Sequence, residues 1–155
     1  MQGVIADILV AVLAAMLIVA MYGDLRQRII PNWLNAIIAL LAIPYWWLSG
    51  LSLTDVGIQV GIAAGVFALF ALAFRLGMMG GGDVKLVTAL ALWLPYAALV
   101  KLLVVMSIAG GVLTLVMIVR NRMQRAEDKP EVPYGVAIAI GGFWLIGERF
   151  LYQFG

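Results

Sequence analysis

The sequence predicts an all-α, polytopic membrane protein. It reads as one membrane-embedded domain, residues 1–155, built as a six-transmembrane-helix bundle whose fourth helix is short. Three observations predict this. Hydrophobic residues make up 65% of the chain, more apolar surface than a soluble core absorbs. Asp, Glu, Lys and Arg together make up 12%, about half the share usual in a soluble domain. The basic residues also gather in alternate connections between apolar segments.

Crossing a hydrocarbon core about 30 Å thick takes roughly 20 apolar residues of helix. Segment 4–22 meets that length, with Asp7 as its one charged residue. A secretory signal starts with Lys or Arg and ends at a small-residue cleavage site; Met1-Gln2-Gly3 supplies no positive charge, so the segment reads as a mature membrane helix. Segments 33–47, 56–74, 101–119 and 134–150 supply helices two, three, five and six. Helix three carries Gly57, Gly61 and Gly65, a small-residue ridge expected to let another helix approach closely. Gly110-Gly111 and Gly141-Gly142 suggest the same use. Helix four, residues 84 to about 98, contains Pro95 and reaches about 22 Å, short of the hydrocarbon thickness. Gly80-Gly81-Gly82 before it predicts a recessed start, with non-helical backbone dipping inward. Such backbone is tolerated at depth only where protein or water satisfies it. The stretch 120–133, with Glu127, Asp128 and Glu131 among basic residues, is expected to be a solvated connection. Tyr45, Trp46 and Trp47 fall at the opposite boundary, where an aromatic belt is expected.

The connections after helices one, three and five hold Arg26, Arg28, Arg75, Lys85, Arg120, Arg122, Arg125 and Lys129, eight of the ten basic residues. Lys101 and Arg149 fall on the other side, near helix ends where they can snorkel. The positive-inside rule then places the three connections in the cytoplasm and both termini outside. The net charge of +2 is small and dispersed, so no nucleic-acid partner is indicated; the partner shown by composition is membrane lipid.

The chain has no cysteine and no histidine, which removes thiolate metal sites and the commonest general base. Ser49, Ser52 and Ser107 therefore have no histidine to activate them. Chemistry at neutral pH falls to carboxylates. Outside the polar connection, two acids lie at helix ends on the basic side, Asp24 and Asp83. An ionisable group next to hydrocarbon is costly and is a functional candidate by default. Each also has a plain structural reading. Asp83 suits an N-cap of helix four, and Asp24 suits a solvated turn paired with Arg26 or Arg28. Asp24 fits less well, because the dipole at a helix C-terminus disfavours a negative charge. Two carboxylates held close share a proton; one accepts a proton from water while the other polarises a peptide carbonyl. In that reading the glycines clear side chains so that an extended substrate strand can lie against the backbone.

At these residues the sequence resembles a family. Gly80-Gly81-Gly82-Asp83 matches the Gly-x-Gly-Asp motif of membrane aspartic peptidases. Asp24 followed by Arg28-Ile29-Ile30-Pro31-Asn32 resembles the type IV prepilin peptidases, as do Lys85 and Pro133-Tyr134-Gly135. The resemblance implies an aspartic endopeptidase of the bacterial or archaeal cytoplasmic membrane, with Asp24 and Asp83 catalytic. It implies a prepilin or pseudopilin substrate, cut at the cytoplasmic face before its hydrophobic helix. Gly80, Gly81, Gly82, Lys85, Arg28, Pro31, Asn32, Pro133, Tyr134 and Gly135 would bind substrate or support the pair. Neither metal nor cofactor is implied. Larger members also N-methylate the product and usually carry a four-cysteine metal site. This cysteine-free chain is expected to be the short, peptidase-only form, similar to the peptidases of tight-adherence (Flp) pilus systems.

Asn32 or Asn35 is expected to cap helix two behind Pro31, and Pro133 and Gly135 to set where helix six begins. Two other functions fit the acids. One is a presenilin-like intramembrane protease, against which the Ile-Pro-Asn context argues. The other is a transporter or assembly subunit using the acids as an ion site. The sequence leaves the oligomeric state open.

Overall fold

A computed structural model describes residues 2–124 and 132–154. The described residues form six helices and no strand: α1 (Gln2–Gln27), α2 (Asn32–Leu48), α3 (Leu53–Arg75), α4 (Gly81–Ala91), α5 (Tyr96–Gln124) and α6 (Tyr134–Phe154). α1, α3, α5 and α6 are long and apolar enough to cross a membrane. α2 has 17 residues and α4 has 11, so α4 is about 16 Å long. The chain is a multi-pass membrane protein.

Two contacts set α1 antiparallel to α6. Asp24, near the end of α1, meets the first turn of α6, while Asp7 near its start meets Arg149. The bundle thus has an Asp24 end and an Arg149 end. α6 packs on α1, α4 and α5, and α4 packs on α2, α3 and α6. α4 is the enclosed helix, with Asp83, Val84, Leu86, Val87, Ala89, Leu90 and Ala91 buried. Leu17, Ile38, Leu90, Leu102 and Ile138 fill the centre, while Ile8, Leu69, Val112 and Leu115 face outward. Lipid is as apolar as leucine, so close packing and side-chain hydrogen bonds, rather than apolar burial, must hold these helices together. Gly141 and Gly142 provide such packing. A Cβ on Gly141 would stand 3.2 Å from the Leu102 carbonyl of α5, and one on Gly142 would stand 2.6 Å from Leu17 of α1.

Several expectations are corrected. Helix four ends at Ala91, and Pro95 precedes α5 rather than lying inside helix four. Proline has no N–H to continue a helix, but its carbonyl accepts from Leu99 at 2.9 Å and opens the next one. Lys101 therefore sits inside α5 rather than at its start. Gly81 and Gly82 are helical rather than unwound, because the Gly80 carbonyl accepts from Asp83 and Val84. Among the described residues, a Cβ on Gly57, Gly61 or Gly65 would meet nothing within 4 Å; α3 buries its other face, through Gln59, Ala63 and Val66. Tyr45 and Trp46 turn inward rather than forming a belt. Trp46 donates to the Leu92 carbonyl at 2.7 Å, and Tyr45 packs on Trp93 with ring centroids 4.8 Å apart. Trp47 alone of the three is exposed. Residues 120–124 continue α5. The rest of the expected connection, with Arg125, Glu127, Asp128, Lys129 and Glu131, lies outside the described residues.

Candidate active site

Asp24 lies in the last turn of α1 and is 5% exposed; Asp83 lies in the first turn of α4 and is 7% exposed. The chain leaves α1 through Arg28, whose φ is 55°. Its N–H donates to the Asp24 carbonyl at 3.1 Å. Glycine usually fills this left-handed position after a helix, and a side chain there costs roughly 1 kcal/mol. The turn folds Ile29 and Ile30 back over the helix end, and a Cβ on Gly23 would stand 3.0 Å from the Ile29 carbonyl. Buried Ile30 then wedges between α4 and α6. A Cβ on Gly82 would stand 3.1 Å from Ile30 Cβ, and one on Gly135 would stand 2.7 Å from Ile30 Cδ1 and 2.8 Å from Asp24 Oδ2. The glycines also serve the chain itself. Gly82 and Gly80 make room for Ile30 and for the Asp83 carboxylate, and Gly81 faces the Phe74 ring.

Backbone amides hold both acids. Gly80 N–H donates to Asp83 Oδ2 at 3.1 Å, so Asp83 accepts from the residue before its own helix. Val136 N–H donates to Asp24 Oδ2 at 3.2 Å. Asp24 thus sits at the unfavourable C-terminal end of α1 but receives the favourable N-terminal end of α6. The Gly135 amide lies close enough to act on both carboxylates, and each of these lies within reach of the other's charge. Asp24, Asp83, Arg28, Ile29, Ile30, Gly80, Gly81 and Gly82 line a cleft of about 200 Å³, ample for water.

The structure therefore brings Asp24, Asp83, Arg28 and the three glycines to one cleft, with Gly135 against its wall. Other expected residues lie elsewhere. Lys85 is exposed and donates to Asn32 Oδ1 at 2.7 Å instead of facing either acid. Pro31 occupies the cap position of α2, and neither asparagine caps that helix. Asn32 is held by Lys85, and Asn35 Nδ2 donates to the Gly82 carbonyl at 3.2 Å. Pro133 is buried before α6, and the Tyr134 ring packs over Gly110 of α5, away from the cleft. Sequence reasoning missed Gly23, Ile30 and the role of Asn35. The signal for Asn35 was an amide inside an apolar run; that for Ile30 was its place in the Ile-Pro-Asn stretch. Among the described residues no group of three or more His, Cys, Asp or Glu is placed to hold a metal.

Comparison with known proteins adds a family. A model described as the Type IV leader peptidase family matches residues 11–115. The prepilin leader peptidase/N-methyltransferase of Stutzerimonas stutzeri is 36% identical over 115 residues, covering 66% of this chain and 39% of that protein. The protein of the same description from Pectobacterium carotovorum is 34% identical over 141 residues, covering 84% of this chain and 48% of that protein. That from Xanthomonas campestris is 28% identical over 149 residues, again covering 48% of its length. The chain thus spans less than half the length of these relatives. No solved structure matches it.

Proposed function

The chain belongs to the type IV leader peptidase family, and from that premise we propose that it is an aspartic endopeptidase whose catalytic pair is Asp24 and Asp83. The observation that carries this reading is the cleft itself. Two buried carboxylates, 59 positions apart in the chain, line it together, one held by the Val136 N–H of α6 and the other by the Gly80 N–H before α4. Such a pair shares one proton and acts as a unit. The ionised carboxylate takes a proton from water as the water oxygen attacks the peptide carbonyl carbon. The protonated carboxyl hydrogen-bonds the carbonyl oxygen and stabilises the charge that gathers on it. As the C–N bond breaks, the acquired proton passes to the leaving nitrogen. The amide of Val136 keeps Asp24 oriented through the cycle, and the amide of Gly80 keeps Asp83 oriented.

The substrate in this reading is a type IV prepilin or pseudopilin, cut at its leader. Arg26, Arg28, Arg75 and Lys85 all belong to the Asp24 end, and their bias supports placing that end in the cytoplasm, with both termini outside the inner membrane.

The test is reconstitution in proteoliposomes with a purified prepilin and, separately, an unrelated single-span protein. The parent should cut the first and spare the second. Asp24→Asn and Asp83→Asn should each lower cleavage by about a hundred- to ten-thousand-fold while the protein still inserts. Near-parental cutting by either variant would end the paired-acid reading.

A further inference from the structure

We propose that Asn35 is a positioning residue for Asp83, through which α2 fixes the first turn of α4. The inference rests on the peptidase reading above and adds to it a residue that the cleft does not contain. α4 is too short to span the bilayer by itself, and α2 ties it at both ends. At one end Asn35 Nδ2 donates to the Gly82 carbonyl at 3.2 Å. At the other, Trp46 donates to the Leu92 carbonyl at 2.7 Å and Trp93 donates to the Ile38 carbonyl at 2.9 Å.

The tie at Gly82 acts directly on the acid. The peptide joining Gly82 to Asp83 is planar, so fixing its carbonyl fixes the direction in which Asp83 leaves the backbone. The turn before Asp83 is Gly80-Gly81-Gly82, whose residues have no Cβ to limit their backbone. A hydrogen bond from outside supplies the constraint that side chains would otherwise give. Asn35 does not line the cleft; it lines a groove on the far side of Gly82 with Ala36, Ala39 and Phe67.

The cost of keeping an amide here argues against simple packing. Asn35 is 4% exposed, and its Oδ1 is buried with no hydrogen-bond partner among the described residues. A leucine of similar shape would pack against Ala36, Ala39 and Phe67 without leaving a buried acceptor unpaired, although Asn32, Lys85 and Thr88 line the same groove. What asparagine adds is the N–H that Gly82 receives.

The experiment uses the full chain in proteoliposomes with a purified prepilin, measuring kcat and KM separately. Asn35→Leu should lower kcat about tenfold or more and leave KM within about twofold, since misplacing a catalytic group impairs the chemical step. Asn35→Gln and Asn35→Met form a second pair of similar shape, of which one keeps the donor. Gln should exceed Met in kcat by about threefold or more, whatever packing loss the two share. A kcat for Asn35→Leu near the parent's, a loss confined to KM, or equal kcat for Gln and Met would overturn the proposal. Asp83→Asn is run beside them. If it still cuts, the peptidase reading itself fails; if it is dead while Asn35→Leu keeps its kcat, the positioning role alone fails.

Discussion

At the Arg149 end of the bundle, opposite charges meet; at the Asp24 end, like charges do. Arg149 donates to Asp7 at 3.2 Å and to the Tyr45 hydroxyl at 2.5 Å, and Lys101 lies 2.9 Å from Glu148. The tryptophan bonds of Trp46 and Trp93 belong to the same end. The Asp24 end instead buries two acids side by side, carries Arg28 in a left-handed turn, and brings backbone so close that glycine is required. Strain of this kind persists only where the surrounding structure holds it, and it gathers at functional sites. On the proposed function, the difference teaches that one end serves cohesion and the other serves chemistry at some cost in stability. If so, substitutions at the two ends should fail in different measurements.

The largest difference should come from a single methyl group. Gly135→Ala places Cβ 2.8 Å from Asp24 Oδ2 and 2.7 Å from Ile30 Cδ1, so the carboxylate must move. Cleavage should fall about a hundredfold, the scale on which a misplacement near 1 Å acts. Gly142→Ala meets the far end of the Leu17 side chain at 2.6 Å, away from the acids. It should lose about 1–3 kcal/mol of stability through overpacking and keep most of its activity. Equal cleavage by the two purified variants would erase the contrast between the ends.

Arg28 tests strain against function at one residue. Arg28→Gly relieves the φ of 55° and should raise the thermal midpoint, by an amount equivalent to at most about 1 kcal/mol. It also removes the cation that acts on Asp24, so cleavage should fall by roughly tenfold, about 1.4 kcal/mol of barrier. Arg28→Lys keeps both charge and strain and should resemble the parent. A lowered midpoint with unchanged cleavage in Arg28→Gly would mean that the turn stores no strain for the site.

Hydropathy and charge made the six helices and the shared face of Asp24 and Asp83 legible, because each apolar segment is long and its flanks differ in charge. Local chemistry at helix ends was less so. Pro95 looked internal to helix four because apolar residues continue past it, yet its missing N–H opens α5. The glycines of α3 and of α6 both read as packing surfaces, but the close approaches occur at Gly141 and Gly142 and not at Gly57, Gly61 or Gly65. A small residue permits contact; which helix arrives there depends on the whole bundle. The same holds for Ile30, whose Ile-Pro-Asn stretch marked the region but not the contact that the Arg28 turn gives it between two glycines. Asn32 and Asn35 looked like caps by position, but α4 lies close enough to engage both side chains.

The smallest effect belongs to the Lys101–Glu148 pair. Its side chains are 55% and 30% exposed, so water or headgroups compete for both charges. A double-mutant cycle of Lys101→Met and Glu148→Gln should give a coupling of about 0.2–1 kcal/mol in thermal stability, as for other exposed pairs. Cleavage by all three variants should stay within about twofold of the parent, because the pair lies beside Arg149, at the other end of the bundle from the first turns of α4 and α6. A severalfold change in kcat would show that α5 and α6 transmit movement along their length, and the two ends would then have to be treated as one mechanical unit. The pair therefore measures how independent cohesion and chemistry are in a bundle whose helices α1 and α6 run from one end to the other.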